Sequence, residues 1–316
     1  MKKFFMPVDN SIYSTHALQY MVMMAPILED GAFSLYYDQP IVSDYLTEEA
    51  KTSPAAMAKL DQLNTKNESI GNEILGRRKN DLMSLNVPEE RIQVFTNRRR
   101  EGAAKDILWQ AEKEAADAII IGRHGFTKFQ ETFIGSTSKN LIEHSPTIPV
   151  WLVDGEITSK NILLAVDGST DSVKALDYVL DMCRDAPDTE LTIFHVEPSF
   201  RDCCSVDFSD LQSFEEGEGD ENLANIIEKA DRKCIDNFMG YAGSRFKERH
   251  IHEEGLKMKT QPTKVNIGRA IIDEFKNGGY GTLVAGKRGV NKRFFMGSVS
   301  NYLVTHLQNG ALWVIP

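Results

Sequence analysis

The chain has 316 residues, 41% hydrophobic and 26% charged, the balance of an ordinary folded protein rather than of a disordered or fibrous one. That length exceeds what a single core usually fills, so two domains are expected, over 1–155 and 156–316. No apolar run approaches the roughly 20 residues that span a bilayer, and a formal net charge of −10 argues against general binding to nucleic acid or to an anionic membrane surface.

Lys3 to Val8 is an apolar stretch that predicts a strand ending at Asp9; the early Asp also argues against a secretory leader. Ser11 and Ser14 supply N-cap chemistry for a helix with Ala17, Leu18, Met21 and Met24 on one side. A second strand is predicted over Phe33–Tyr37, and a long helix over 54–85, ending near Pro88. Arg91–Thr96 predicts a third strand, and a helix over Ala103–Glu114 leads into ADAIIIG, a continuously apolar strand of the type buried on both faces. A glycine-rich stretch, a further helix and the strand PVWLVD complete the series. After a polar linker over Asp154–Lys160 the order returns: NILLAVD, helix, ELTIFHV, helix, LKMKTQPT, helix, GTLVAG, glycine-rich stretch, helix, ALWVIP. Strands alternating with helices imply a mainly parallel sheet covered on both faces.

The repetition extends to residues. DNSIYSTHALQYMVMMA from Asp9 matches DGSTDSVKALDYVLDMC from Asp167 at Asp, two Ser, Ala, Leu, Tyr and Met. FIGSTSKNLIEHSPTIPVWLVD from Phe133 matches FMGSVSNYLVTHLQNGALWVIP from Phe295 at Phe, Gly, two Ser, Leu, His and Trp. Matches at both ends of each half, in one order and at a period near 160 residues, are those of a tandem duplication of one domain.

The chemistry concentrates after the fourth strand of each half. GRHGFTKFQETFIGST places Gly122, Gly125 and Gly135 ahead of Ser136 and Thr137, and GKRGVNKRFFMGSVS places Gly286, Gly289 and Gly297 ahead of Ser298. Glycine lets a ligand approach the backbone, and the final Gly-Ser pair opens a helix whose N–H groups and dipole suit an anion such as phosphate. The alternative is a tight turn kept for folding. Asp9 and Asp167 end the first strand of each half; if that strand neighbours the fourth, the carboxylate faces the cradle and can accept from a ribose hydroxyl or an adenine amino group. The alternative for each Asp is to cap the following helix.

Together, the Asp ending strand one, the G-x2-G-x9-G-[ST] loop after strand four and the apolar last strand resemble the universal stress protein family in its tandem form, over essentially the whole chain. PVD at Pro7–Asp9 and AVDGS at Ala165–Ser169 are similar to first-strand endings of that family, and HVEP at His195–Pro198 to its second strand. The resemblance implies an α/β fold of two tandem doubly wound domains, each a five-stranded parallel sheet in order 3-2-1-4-5. It also implies ATP as ligand, with Mg or Mn as a candidate companion. By position, the first nucleotide site comprises Pro7, Val8, Asp9, Tyr37, Gly122, Gly125, Gly135, Ser136 and Thr137. The second comprises Val166, Asp167, Val196, Gly286, Gly289, Gly297, Ser298 and Val299. Two departures stand out. Tyr36 and Tyr37 replace the usual His-Val, and the second loop has seven residues between its last two glycines instead of nine. Tyr37 either stacks on a base or fills its pocket, and the shorter loop either draws Lys287 and Arg288 toward the phosphates or shuts the cradle.

The implied function is a cytoplasmic stress-response sensor or adaptor that binds ATP or a related adenine nucleotide and offers a surface to a protein partner of unknown identity. The alternatives are a tandem scaffold without nucleotide and a slow ATP hydrolase. Efficient turnover is not expected, because there is no SGGxDS loop, no Walker lysine and no general base by the loop nearer than His124. The two halves are expected to form the pseudo-dimer that single-domain relatives form as dimers, with Trp151 and Trp313 near their contact and a homodimer as a further option. His144 and His306 recur at one helix position and suggest packing or capping. Arg98, Arg99 and Arg100 read as a solvated loop, or as groups near a phosphate or partner. Residues 201–220 form an acidic, loop-like excursion, with docking as the alternative. Cys183, Cys203, Cys204 and Cys234 match no zinc or disulfide framework and point to a reducing cytoplasm; the adjacent pair reads as loop residues, with redox sensitivity as the alternative.

Overall fold

A computed structural model describes residues 2–24, 31–124, 134–182, 189–198, 218–249, 256–262, 266–288 and 296–316, with backbone alone over 218–224. The chain divides into two compact units, Met1–Ile157 and Thr158–Pro316.

In the first unit β1 (Lys3–Pro7), β2 (Ala32–Gln39), β3 (Ile92–Arg98), β4 (Ala118–Gly122) and β5 (Val150–Asp154) are the strands. The helices are α1 (Ile12–Met23), α2 (Asp44–Glu49), α3 (Pro54–Ser84), α4 (Ala103–Lys113) and α5 (Ser136–His144). The strands lie in the order β3-β2-β1-β4-β5, all parallel. Phe4, Phe5 and Met6 of β1 and Ile119 and Ile120 of β4 are fully buried, because helices cover both faces of the central strands. β3 lies at an edge: Gln93 and Val94 are exposed, and the strand ends in charge at Arg98.

The second unit repeats this plan with β6 (Ile162–Val166), β7 (Leu191–Glu197), β8 (Leu256–Pro262), β9 (Thr282–Gly286) and β10 (Gly310–Ile315). Its helices are α6 (Thr170–Met182), α7 (Glu218–Glu248), α8 (Ile267–Asn277) and α9 (Ser298–His306). Its strand order is β8-β7-β6-β9-β10, again parallel. Each unit is therefore the doubly wound 3-2-1-4-5 sheet that the alternating pattern and the resemblance imply.

Two local features differ from the sequence expectations. The short helix α2, which buries no residue, was not expected because six residues carry too little periodicity to register. The helix α7 starts at Glu218, inside the excursion read as loop, because an acidic helix start interacts favourably with the dipole despite its polar composition. The rest of that excursion, with Cys183, Cys203 and Cys204, lies outside the described residues; Cys234, on α7, is a free thiol.

Trp151 and Trp313 are fully buried. Trp151 packs on Phe4 and Tyr20 with ring centroids 5.6 and 6.3 Å apart, and Trp313 packs edge-on to Tyr178 at 5.9 Å. Each thus anchors the first helix of its own unit to the last strand. His144 Nδ1 donates to the Asn140 carbonyl and His306 Nδ1 to the Tyr302 carbonyl, both at 2.9 Å, so the repeated histidine satisfies a carbonyl in the last helical turn.

Polar ties fasten the long helix of the second unit. Asp177 on α6 accepts from Arg245 Nε at 2.7 Å and from the Tyr241 hydroxyl at 2.6 Å, both on α7. Burial alone would raise its carboxyl pKa, but the Arg245 and Tyr241 bonds together outweigh burial and hold it below the ordinary value. The unfolded chain therefore takes up this proton first as pH falls. The stabilisation is complete above about pH 4 and is lost as pH drops through the lowered folded value. In urea titrations between pH 2.5 and 6, Asp177→Asn is expected to lower the midpoint at pH 6 and to flatten its fall at acid pH.

Candidate functional site

In an open parallel sheet the ligand crevice lies beyond the carboxyl ends of the strands, where the order reverses. In the first unit β2 and β4 flank β1, so the reversal falls between β1 and β4. β1 ends at Pro7; Val8 is buried and donates its N–H to the Tyr36 carbonyl at 2.9 Å, extending the ladder by one residue. Asp9 then turns the chain. Its Oδ1 accepts from the Ser11 N–H at 2.9 Å, from the Ser11 hydroxyl, and from the Ser14 hydroxyl at 2.7 Å. The Asp9 N–H in turn donates to Ser14 Oγ at 3.0 Å. Ser11 is the N-cap of α1, whereas Ser14, buried, serves Asp9 instead of the helix end. All three bonds to the carboxylate converge on Oδ1; among the described residues none reaches Oδ2. The carboxylate thus organises the turn through one oxygen, and the described residues leave the acceptor capacity of the other unused.

Gly122 ends β4 against the first turn of α1. A Cβ there would lie 2.7 Å from Tyr13 Cβ and 2.9 Å from the Tyr13 backbone, so this glycine is required for close helix–strand packing. Its carbonyl accepts from Ser138 Oγ at 3.0 Å, and the Gly135 N–H donates to the Arg123 carbonyl at 3.0 Å. These bonds fix the start of α5 beside the end of β4. Gly135 is the N-cap and supplies no side-chain oxygen, so the first-turn N–H groups, with exposed Ser136 and half-buried Thr137, have no side-chain cap. A helix start without an internal cap suits an anion.

The second unit reproduces this backbone. The Ser169 N–H and the Ser172 hydroxyl donate to Asp167 Oδ1 at 3.0 and 2.7 Å, and the Asp167 N–H donates to Ser172 Oγ at 3.0 Å. A Cβ on Gly286 would lie 2.8 Å from Asp171 Cβ, the counterpart of the Gly122–Tyr13 contact. The Gly297 N–H donates to the Lys287 carbonyl at 3.0 Å, Ser300 Oγ donates to the Gly286 carbonyl at 2.7 Å, and Gly297 caps α9 without a side chain, ahead of exposed Ser298 and half-buried Val299. Val166 and Val196 are buried at the ends of β6 and β7. Gly125 and Gly289, the middle glycines, lie outside the described residues. Of the two cations expected near the second loop, Lys287 is buried and Arg288 exposed.

Tyr37 lies between β2 and α3: a Cβ on Gly71 of α3 would meet its ring at 2.7 Å. Burial first, and then the negative charge of Asp9, push the Tyr37 phenol above its usual pKa, so it remains a neutral hydroxyl near that carboxylate. Of the arginine run, Arg99 pairs with the nearly buried Asp38, and Arg100 lies 5.5 Å over the exposed ring of Trp109.

Sequence reasoning missed the groups that hold the β1–α1 turn from outside. Arg78, buried on α3, donates through Nε to the Asp9 carbonyl at 3.2 Å and through Nη2 to the Ser11 carbonyl at 3.0 Å; its Nη1 serves Thr15 Oγ1 at 2.6 Å and Asp81 Oδ2 at 2.9 Å. The second unit uses other residues. His195 on β7 bridges the Val166 carbonyl at 3.0 Å and Asp231 Oδ2 of α7 at 2.9 Å, while Gly168 at φ +72° lets the Cys234 backbone of α7 approach. No motif marks Arg78 or Asp231, because Arg78 acts on residues 67 to 69 positions away in sequence and Asp231 on His195, 36 positions away. Among the described residues no helix is long and apolar enough to cross a membrane, and no three His, Cys, Asp or Glu side chains gather to hold a metal.

The packing of Gly122 gives a direct test. The atoms that a methyl group would meet belong to Tyr13 backbone and Cβ, which cannot swing away, so Gly122→Ala is expected to destabilise the chain by about 1–3 kcal/mol. A lowered urea midpoint, with Gly76→Ala on open surface as the control, checks this.

The universal stress protein family profile matches residues 1–154 and again 158–313. Among solved structures the chain is similar to a universal stress protein from Archaeoglobus fulgidus DSM 4304, with TM-score 0.65 and 17% identity, covering 99% of this chain and 97% of that one. It is also similar to a functionally unknown protein from Pseudomonas aeruginosa PAO1, with TM-score 0.57 and 14% identity over 100% and 92% of the two chains. A search of curated proteins finds no match. Matched in each half over nearly its full length, and folded in each half as the same doubly wound sheet, the chain belongs to the universal stress protein family, as a tandem of two such domains.

Proposed function

We propose that this chain binds ATP or a related adenine nucleotide at the reversal point of its sheets and acts as a cytoplasmic stress-response sensor or adaptor. The observation that carries the reading is the divided carboxylate of Asp9, with Oδ1 committed to Ser11 and Ser14 and Oδ2 unused by the described residues. It stands one neighbouring strand from the uncapped start of α5. An acceptor for sugar or base edges and a row of backbone donors for phosphates, on one sheet edge, match the polarity of a nucleotide. In the first unit the nucleotide meets Pro7, Val8, Asp9 and Tyr37 at its base and sugar, and Gly122, Gly125, Gly135, Ser136 and Thr137 at its phosphates. In the second unit Val166, Asp167, Val196, Gly286, Gly289, Gly297, Ser298 and Val299 are the residues at the corresponding positions. Mg or Mn, where it takes part, arrives with the phosphates. Binding alters the order of the glycine loops and so the surface that a protein partner, or a second copy of the chain, meets.

Titration with ATP tests this. Asp9→Asn keeps an Oδ1 acceptor for Ser11 and Ser14 and converts Oδ2 into an amide donor. ATP binding at the first unit is expected to weaken about tenfold or more, since a hydrogen bond to a charged group is lost, with the urea midpoint little changed. An affinity left intact when Asp9→Asn and Asp167→Asn are combined removes the reading. Mass spectrometry of nucleotide released from freshly purified protein separates the alternatives: ATP supports the sensor, ADP with phosphate release the slow hydrolase, and no nucleotide the scaffold.

A further inference from the structure

The two crevices share a backbone and differ in side chains. Tyr13 in the first unit and Asp171 in the second hold one position, each beneath the glycine that ends the fourth strand. Around Tyr13 lie His124, with ring centroids 4.9 Å apart, and His16, edge-on at 6.4 Å. The counterparts of these residues are Arg288 and Lys174. The first crevice therefore has an aromatic flank, and the second has an ionic one.

Asp171 is the member with consequences for a ligand. Its side chain is only 13% exposed. Its Oδ2 accepts from the Arg288 backbone N–H at 3.2 Å, and its Oδ1 from Lys174 Nζ at 3.1 Å. Arg288 begins the glycine-rich stretch, so a carboxylate already uses a backbone donor at the edge of the cradle. Lys174, half exposed, offsets part of the charge, and its ammonium also donates to the Pro316 carbonyl at 3.2 Å. In the first unit the same place holds a phenol ring, which brings no charge. Asp9 and Asp167 are common to both crevices and cannot set them apart.

We infer that Asp171 determines the specificity of the second crevice, excluding the phosphates that the first accepts, so that each chain binds a single ATP, in the first unit. A carboxylate that holds the Arg288 N–H both occupies a donor and repels a like charge, and its 13% exposure limits the screening by solvent. This inference rests on the nucleotide reading above, and the test separates the two.

Calorimetric titration with ATP, run on the full chain, is expected to give one site per chain. That site weakens about tenfold or more with Asp9→Asn and is unchanged by Asp167→Asn. Asp171→Asn removes the charge at nearly constant shape, and Asp171→Ser removes the carboxylate group. Either variant, with circular dichroism unaltered, is expected to raise the stoichiometry to two. Two sites of similar affinity in the unaltered chain overturn the inference and leave the nucleotide reading standing. So does a single site abolished by Asp167→Asn, or a stoichiometry of one in both folded Asp171 variants. No ATP binding by the unaltered chain or by either variant overturns both.

Discussion

One carboxylate oxygen sets the geometry on which each half of this protein depends. Where β1 gives way to α1, the Oδ1 of Asp9 gathers a backbone N–H and two hydroxyls from the next five residues, and the Oδ1 of Asp167 gathers the Ser169 N–H and the Ser172 hydroxyl. The chain must reverse there, because a parallel sheet requires every strand to be followed by a crossover. Three donors on one acceptor fix that reversal without a tight-turn glycine in the first unit. The buried serine that completes the motif brings the following helix onto the end of the fourth strand, where a glycine is the one residue with room for it. Helix position, strand end and loop start are thereby linked through a single contact.

The consequence for function is a division of labour within one side chain. An Asp that only capped a helix would spend its acceptors on the backbone, and one that only met a ligand would leave the turn unsupported. Here one oxygen does the first task, and in the proposed reading the other, unused by the described residues, serves the second. The alternatives weighed from the sequence, cap or ligand group, are therefore not exclusive. The same holds for the glycines. Gly122 and Gly286 serve packing, whereas Gly135 and Gly297 leave a helix start without a side-chain cap, so positions that look equivalent in a motif carry different physical duties.

Duplication preserved the backbone solution and released the surrounding side chains. The first unit braces its turn with Arg78 from the long helix, and the second with His195 from the strand and Asp231 from the helix. The carbonyls served differ, those of Asp9 and Ser11 in the first unit and that of Val166 in the second, because a buried carbonyl requires a donor but not a particular residue. Near the glycine loops the flanks have diverged further, to rings in one unit and charges in the other. A scaffold whose hydrogen bonds are mostly main-chain can absorb such changes while its crevices acquire different affinities.

Much of this was determined by the sequence alone. The doubled pattern of Asp-x-Ser, apolar strand and Gly-Ser helix start points to two domains of parallel strands covered by helices, since strand burial and helix capping are local properties written in periodicity and short spacings, and the family resemblance implied their doubly wound order. The central strands were legible because they are apolar on both faces; α2 was not, because its few residues bury nothing. What only the tertiary structure decided are the contacts made at long range. Arg78 grips a turn 67 to 69 residues away, Tyr37 lies against Gly71, and Asp171 reaches the N–H of Arg288 across 117 residues. No periodicity encodes such pairings, because they are set by how helices and strands settle against one another once the hydrophobic core has formed.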